Sequence, residues 1–327
     1  MDPEIIRELD ARSVDLFRIN LSHTPLEGVE PSIALVQGCS STPICLDTEG
    51  AQVRCGEVAD GVELVEGSEI ELTAEPVVGS ASSVTLWPDT LFDALKVGSV
   101  LEVDFDGAAL RITEVSERRA RAIVTNAGRM RSNKGVTVDP PPDLPALSQK
   151  DIAAIELGAR HGIADYALSF AADADDVALI RSLAPQGSNI IAKIESRAGV
   201  KNMDAIIDAA DAVLIDRGDL SREVPFELVP YVQKTIIRHA NRWNRRVYVA
   251  TNLLESMVTG RVPTIAESND IANTLLDGVH GLVLAAETAV GIDPVGSVDI
   301  VLRGIHAFER STQIDLLEDD RTELPAR

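Results

Sequence analysis

Short apolar runs rich in Val, Ile and Leu, each closing on polar residues, recur in two parts of the chain. They cover 16–22 (Leu-Phe-Arg-Ile-Asn-Leu-Ser), 43–48, 166–170, 189–195, 212–217, 246–251 and 281–287. Near-continuous apolar strands are what a parallel sheet buried on both faces requires. Between the later runs lie stretches of helical period at 149–161, 175–184, 198–209, 226–243, 265–277 and 294–309. Asp151 and Asp175 suit N-caps or first-turn acids, and Pro294 suits a first helical turn. Alternating strands and helices with short connections imply right-handed βαβ units. The pattern predicts an α/β fold, a (β/α)8 TIM-type barrel with its site at the C-terminal strand ends. Only seven strands are identifiable, preceded by one helix-like stretch at 3–11. The barrel therefore either lacks its first strand or takes it from another segment.

Residues 53–134 follow a different rhythm. Ser68–Thr73, Leu101–Phe105 and Ala120–Val124 alternate apolar and polar positions, with Gly- and Asp-rich turns between them. That period of two predicts an inserted small antiparallel β-barrel. Because it enters and leaves within one strand-to-helix connection, it is expected to cap the barrel mouth. Asp139-Pro-Pro-Pro-Asp143 reads as a stiff return. The expected organisation is barrel 1–52, cap 53–134 and barrel remainder 135–327.

The length of 327 residues suits two ordinary domains, or one barrel of about 250 residues with an insertion. With 52 acidic and 30 basic side chains the net charge is −22, which disfavours nucleic acid and anionic membranes as partners. An anionic substrate must then meet locally concentrated Arg, Lys or metal. No apolar run reaches the roughly 18 residues of a membrane span, and residues 1–9 lack a secretion signal's apolar core. Cys39, Cys45 and Cys55 form neither an even set nor a CxxC pair, so reduced thiols and a cytoplasmic location are expected.

Candidate chemistry concentrates at the ends of the runs. Lys193 and Glu195 lie two apart and leave the same strand face, and Arg217-Gly218-Asp219 closes the next run. Glu195 and Asp219 then converge as hard oxygen ligands for Mg2+ or Mn2+, with substrate oxygens completing the shell. Lys193 supplies positive charge for phosphoryl transfer or enolate stabilisation, and the N–H groups after Gly218 can receive an anion. By spacing alone, a Lys193–Glu195 salt bridge sealing the rim stays equally open. Arg18, Asn20 and Ser22 alternate on one face, with Asp47 and Thr48 ending the next run and His23 following. Oxygens of Asn20, Ser22, Asp47 and Thr48 can hold a monovalent cation, and Arg18 offers a fork to phosphate. Ordinary strand-end hydrogen bonding remains the alternative. Thr251 reads either as a mouth hydroxyl or as the cap of a helix starting at Asn252. Glu287 reads as a helix-start acid, and His161, His239, His280 and His306 carry no assigned chemistry.

These strings, in this order, resemble the pyruvate kinase family. They are Phe17-Arg-Ile-Asn-Leu-Ser-His23, Leu46-Asp-Thr-Glu-Gly50, Ser132-Asn-Lys-Gly135, Ala192-Lys-Ile-Glu195, Arg217-Gly-Asp-Leu220, Ala250-Thr-Asn-Leu-Leu-Glu-Ser-Met257 and Ala286-Glu-Thr-Ala289. The likeness spans about residues 3–310. It implies that Lys193 stabilises the enolate and the transferring phosphoryl group, and that Glu195 and Asp219 ligate Mg2+. Thr251 would lie beside the substrate's methylene carbon and carboxylate, and Arg18 would contact the phosphate. Asn20, Ser22, Asp47 and Thr48 would hold K+, while His23, Arg54 and Lys134 would face the nucleotide. The implied reaction moves phosphate from phosphoenolpyruvate to ADP, giving pyruvate and ATP.

The departures fall on the nucleotide side. The family's opening strand and its C-terminal allosteric domain have no counterpart here, and Glu49, Gln52 and Val290 stand where the family has Lys, Glu and Lys. Three readings follow: a pyruvate kinase-like phosphotransferase, a metal-dependent 2-oxo acid aldolase or lyase, and a non-catalytic phosphoenolpyruvate-binding homologue. Strand edges beside a missing strand also predict homo-oligomerisation or a rearranged N-terminal segment.

Overall fold

The computed structural model describes residues 2–50, 52–103 and 108–311. The expected strand residues Asp104 and Phe105 lie outside the described residues. The chain divides into two compact units, residues 1–49 with 149–327, and Gly50–Ser148. The second unit exceeds the expected limits of 53 and 134. The strand Gly135–Asp139 pairs with Val53–Cys55 and Val100–Val103, so backbone hydrogen bonds tie it, and the proline-rich return after it, to the insertion.

The first unit is built on β1 (Phe17–Asn20), β2 (Ile44–Asp47), β3 (Asp165–Leu168), β4 (Asn189–Lys193), β5 (Ala212–Asp216), β6 (Arg246–Ala250) and β7 (Gly281–Val283). All six neighbouring pairs are parallel, in sequence order β1 to β7. The helices are α1 (Pro3–Asp10), α2 (Leu26–Cys39), α3 (Gln149–Arg160), α4 (Ala174–Leu183), α5 (Arg197–Lys201), α6 (Met203–Ala209), α7 (Arg217–Glu223), α8 (Val229–Arg242), α9 (Ile265–Leu276), α10 (Ala286–Ala289) and α11 (Pro294–Ser311). The predicted helix at 198–209 is two, because Asn202 ends α5 and opens α6. Helix α4 is capped by Asp173, whose side chain accepts from the N–H groups of Asp175 and Asp176, leaving Asp175 as a first-turn acid.

Alternation along each strand separates two environments. One set, including Ile19, Leu46, Tyr166, Ile190, Val213 and Val249, is buried. The other set, Cys45, Ala167, Ile191, Ala212, Leu214 and Ala250, forms a single cluster with Leu16, Tyr248 and Val283 packed against it. Every second residue along a strand shares a face, so continuing this inner set toward the C-terminal ends reaches Arg18, Asp47, Lys193 and Asp216. Apolar packing at one end of the strands thus grades into charge at the other.

Strands β1 and β7 are the outermost members of this sheet among the described residues. The helix layer bridges them. Helix α1 packs against both α2 and α11, and Arg12 forks onto Asp299 at 2.7 and 3.3 Å. The N-terminal helix therefore joins the helices that follow β1 and β7.

The second unit is a closed seven-stranded barrel. Its pairs are antiparallel, as expected of the insertion, except Glu69–Thr73 with Ser83–Trp87, which run parallel. Leu72, Leu86, Leu101, Leu110 and Ala122 lie in its own core. Among the described residues no helix is long and apolar enough to cross a membrane.

Packing against the sheet is tight at Gly158 of α3, where an added Cβ would meet Leu46 Cδ1 at 2.6 Å and Tyr166 Oη at 3.2 Å. Gly158→Ala is expected to destabilise the first unit by about 1–3 kcal/mol. Gly38→Ala, whose Cβ meets nothing within 4 Å in α2, should leave stability unchanged or raise it by up to about 1 kcal/mol. Urea unfolding of the two variants checks the contrast.

Candidate active site

The ammonium of Lys193 organises the C-terminal strand ends. Its Nζ donates to Ser169 Oγ at 2.9 Å and stands 3.2 Å from Glu195 Oε2, 3.4 Å from Asp47 Oδ1 and 3.9 Å from Asp216 Oδ2. Arg18 Nη1 donates to the other Asp47 oxygen at 2.9 Å. Lys193 is only 4% exposed. Burial by itself would lower its pKa, but Asp47, Glu195 and Asp216 outweigh that and hold it above the ordinary lysine value. The amine is therefore a fixed positive charge. Glu195 behaves oppositely: complete burial pushes its pKa well up, Lys193 pulls back, and Asp219, Asp216 and Asp47 add to the rise.

The salt-bridge reading and the site reading of Lys193 and Glu195 thus describe one arrangement, since the pair is ion-paired and also enclosed by further acids. Glu195 lies past the last paired residue of β4. Its Oε1 accepts from Phe170 N at 2.8 Å, whereas Oε2 is buried and accepts no hydrogen bond. Phe170 holds a positive φ of 54°, a conformation uncommon for a bulky residue, and this turn aims its N–H at the carboxylate.

Three carboxylates, those of Glu195, Asp216 and Asp219, each place one oxygen within 4.8 Å of the others. An all-oxygen set of this kind, with one buried carboxylate oxygen lacking a hydrogen-bond donor, fits a hard divalent cation. Asp219 belongs to the first turn of α7 rather than to the strand end, and Arg222 Nη1 lies 3.3 Å from it. Asp216 was not among the residues singled out from sequence. The available signal was parity: Asp216 shares the inner face with Ala212 and Leu214 and ends that row as Lys193 ends its own.

Thr251 follows β6 with φ of 72°, and Asn252 has φ of 55°, so the chain turns sharply here. No helix begins at Asn252; the next helical turn is Glu255–Val258, which corrects the capping alternative. Arg217 holds the turn by donating to Thr251 O from Nε at 2.9 Å and Nη2 at 2.7 Å, while Nη1 donates to Asp270 at 2.7 Å. The Thr251 hydroxyl donates to Asp216 Oδ1 at 2.7 Å, and Gly218 N donates to the same oxygen at 3.1 Å. A Cβ at Gly218 would meet Thr251 Cγ2 at 2.9 Å, so glycine is what lets these segments approach. The N–H groups after Gly218 are the ones the sequence offers to an anion; the N–H of Gly218 itself is engaged by the chain's own Asp216 carboxylate. Glu287 in α10 ties neighbouring loops, accepting from Leu254 N and Ala285 N.

The residues expected to hold a monovalent cation lie on adjoining segments, with Asn20 in register with Asp47. Ser22 is past the end of β1, in a turn whose N–H donates to Asn20 Oδ1 at 2.8 Å, so it does not continue the strand face. Thr48 Oγ1 accepts from Ser169 N at 2.9 Å, and Ser169 Oγ donates to Thr48 O at 2.7 Å. Asp47 contacts both Arg18 and Lys193. His23 N donates to Asn20 O in the same turn. In the second unit, Arg54 is in register with Gly135, next to Lys134, and donates to Asn133 O at 2.8 Å. Arg54 and Lys134 are thus neighbours there.

A parallel βα sheet with a buried lysine, convergent acids and an arginine at its C-terminal strand ends is the barrel-type arrangement suited to meeting an oxyanion. The family model "Pyruvate kinase, barrel domain" matches residues 1–298, and the chain belongs to the pyruvate kinase family. It is 35% identical over 318 residues to a pyruvate kinase of Methylorubrum extorquens, covering 94% of this chain and 66% of that one. Identity to the human pyruvate kinase PKLR is 34%, covering 95% and 57%; identity to a pyruvate kinase of Thermotoga maritima is 32%, covering 95% and 69%. The chain thus spans roughly half to two thirds of the length of the curated relatives it matches.

Removing the ammonium should expose the electrostatic balance. Lys193→Met leaves buried carboxylates uncompensated, with an expected loss of about 3–5 kcal/mol at neutral pH. Glu195, already raised by burial, rises further in the variant and binds a proton that the unfolded chain releases above about pH 4.3. A raised carboxylate pKa lowers stability as pH increases. The deficit should therefore shrink on acidification from pH 7 to about pH 5, measured by denaturant unfolding.

Proposed function

We propose that this chain is a pyruvate kinase-like phosphotransferase that moves phosphate between phosphoenolpyruvate and ADP, giving pyruvate and ATP. The observation that carries the reading is Lys193. Its ammonium is held protonated among carboxylates, beside Arg18, at the strand ends of a chain belonging to this family.

Each role follows from the donor each residue offers. Lys193 places a permanent positive charge where an enolate oxygen and a transferring phosphoryl group develop negative charge. Arg18 presents a planar fork to the phosphate, oriented by Asp47. Thr251 gives its single hydroxyl proton to Asp216, so its oxygen presents lone pairs to a bound ligand. Glu195 and Asp219 would hold Mg2+ or Mn2+, which when bound supplies Lewis-acid charge to substrate oxygens. Asn20, Ser22, Asp47 and Thr48 would hold K+; His23 in the first unit, and Arg54 and Lys134 in the second, each offer nitrogen donors of the kind a nucleotide takes. A metal-dependent 2-oxo acid lyase is the second reading, favoured by Val290, an apolar side chain 73% exposed where the family carries a lysine.

Supplying phosphoenolpyruvate, ADP, Mg2+ and K+ should yield pyruvate, followed with a lactate dehydrogenase couple. Chelating the divalent ion should abolish the signal, and Glu195→Gln should lower kcat by about a hundredfold or more. Absence of pyruvate at high protein concentration overturns the phosphotransferase reading. Nucleotide-independent decarboxylation of oxaloacetate would establish the lyase instead, and phosphoenolpyruvate binding without any turnover would leave a non-catalytic homologue.

A further inference from the structure

We infer that Asp216 is a third acidic ligand of the divalent-ion site, which lets the chain bind the ion before any 2-oxo acid arrives; this rests on the ion site proposed above. The expected pair, Glu195 and Asp219, leaves most of a six-oxygen shell to substrate and water. Asp216 adds a third protein oxygen, and the three lie within 4.8 Å of one another, comparable to the roughly 4–5 Å across one such shell.

Two independent observations point to an ion rather than to a self-contained polar cluster. Glu195 is completely buried, and its Oε2 accepts no hydrogen bond although it belongs to this cluster. The Lys193 ammonium, 3.2 Å from it, offsets part of its desolvation cost, and a bound cation would relieve more. Asp216 is also held in place on one oxygen only. Its Oδ1 accepts from Thr251 Oγ1 and Gly218 N, whereas Oδ2 stands 3.9 Å from Lys193 Nζ, beyond hydrogen-bond reach. The carboxylate is therefore oriented before any ligand binds, with its second oxygen left to the cluster.

Charge favours the same conclusion. Asp47, Glu195, Asp216 and Asp219 are faced by Lys193, Arg18 and Arg222, one more acid than base in these ion pairs. Without Asp216 these groups would balance. With it, these pairs carry one uncompensated negative charge, which a bound cation or a proton on Glu195 would balance whether or not substrate is present.

Mn2+ titrated calorimetrically into the whole chain, with neither phosphoenolpyruvate nor nucleotide present, tests the inference. The wild type should bind, and Asp216→Asn and Asp216→Ala should each weaken binding by about tenfold or more. Wild-type affinity in the Asp216 variants, alongside loss in Glu195→Gln, overturns this inference and leaves the two-carboxylate site standing. No binding by the wild type, or undiminished binding by Glu195→Gln, overturns both. A measurement that needs no variant is the count of water molecules on protein-bound Mn2+ by pulsed electron paramagnetic resonance. About three are expected with three protein oxygens, and four or more would show that Asp216 does not ligate.

Discussion

A lysine ammonium buried among acids is the constraint around which the first unit is arranged. Burying Lys193 without partners would disfavour its charged form, and burying Asp47, Glu195 and Asp216 without it would disfavour theirs. Each makes the other tenable. Lys193 ends β4, Asp47 ends β2 and Asp216 ends β5, so the network couples three strands at the place where apolar packing stops. The cluster is less a stabilising device than a set of charges held ready, because apolar side chains would pack the same space at lower electrostatic cost. Such an arrangement suits a site whose task is to meet charge on a ligand.

Local backbone irregularities serve the same cluster. Phe170 and Thr251 adopt positive φ just past β3 and β6, and each turn delivers one donor to a carboxylate: the Phe170 N–H to Glu195 and the Thr251 hydroxyl to Asp216. Arg217 clamps the Thr251 carbonyl from two nitrogens, which holds the strained turn in place. Regular strands bring the charged residues to one level, and the turns then orient their acceptors. The expected missing strand has a related resolution in the helix layer, where α1 packs on α2 and α11 and Arg12 reaches Asp299.

Much of this was legible before any coordinates. The apolar runs predicted the parallel strands because strands covered on both faces must be apolar at successive positions. Lys193 and Glu195 were readable as a pair because residues two apart share a strand face. Asp216 is harder to read although the same parity points to it, because the adjoining Arg217-Gly218-Asp219 string resembles a strand end while belonging to the first turn of α7. The parallel pair inside the small barrel was not legible either, because alternation reports which face is buried and not the direction of the neighbouring strand.

By itself, the sequence determined the alternation of elements, the inserted β unit, the family and the residue types at the strand ends. These depend on period and on local chemistry, which are properties of neighbours along the chain. Tertiary structure alone decided that Asp216 joins Glu195, that the Thr251 hydroxyl is spent on Asp216, and that Ser169 and Phe170 support Lys193 and Glu195. Those relations join residues tens of positions apart through hydrogen bonds a few ångströms long. Their formation depends on how strands register and turns bend, not on any spacing the sequence displays.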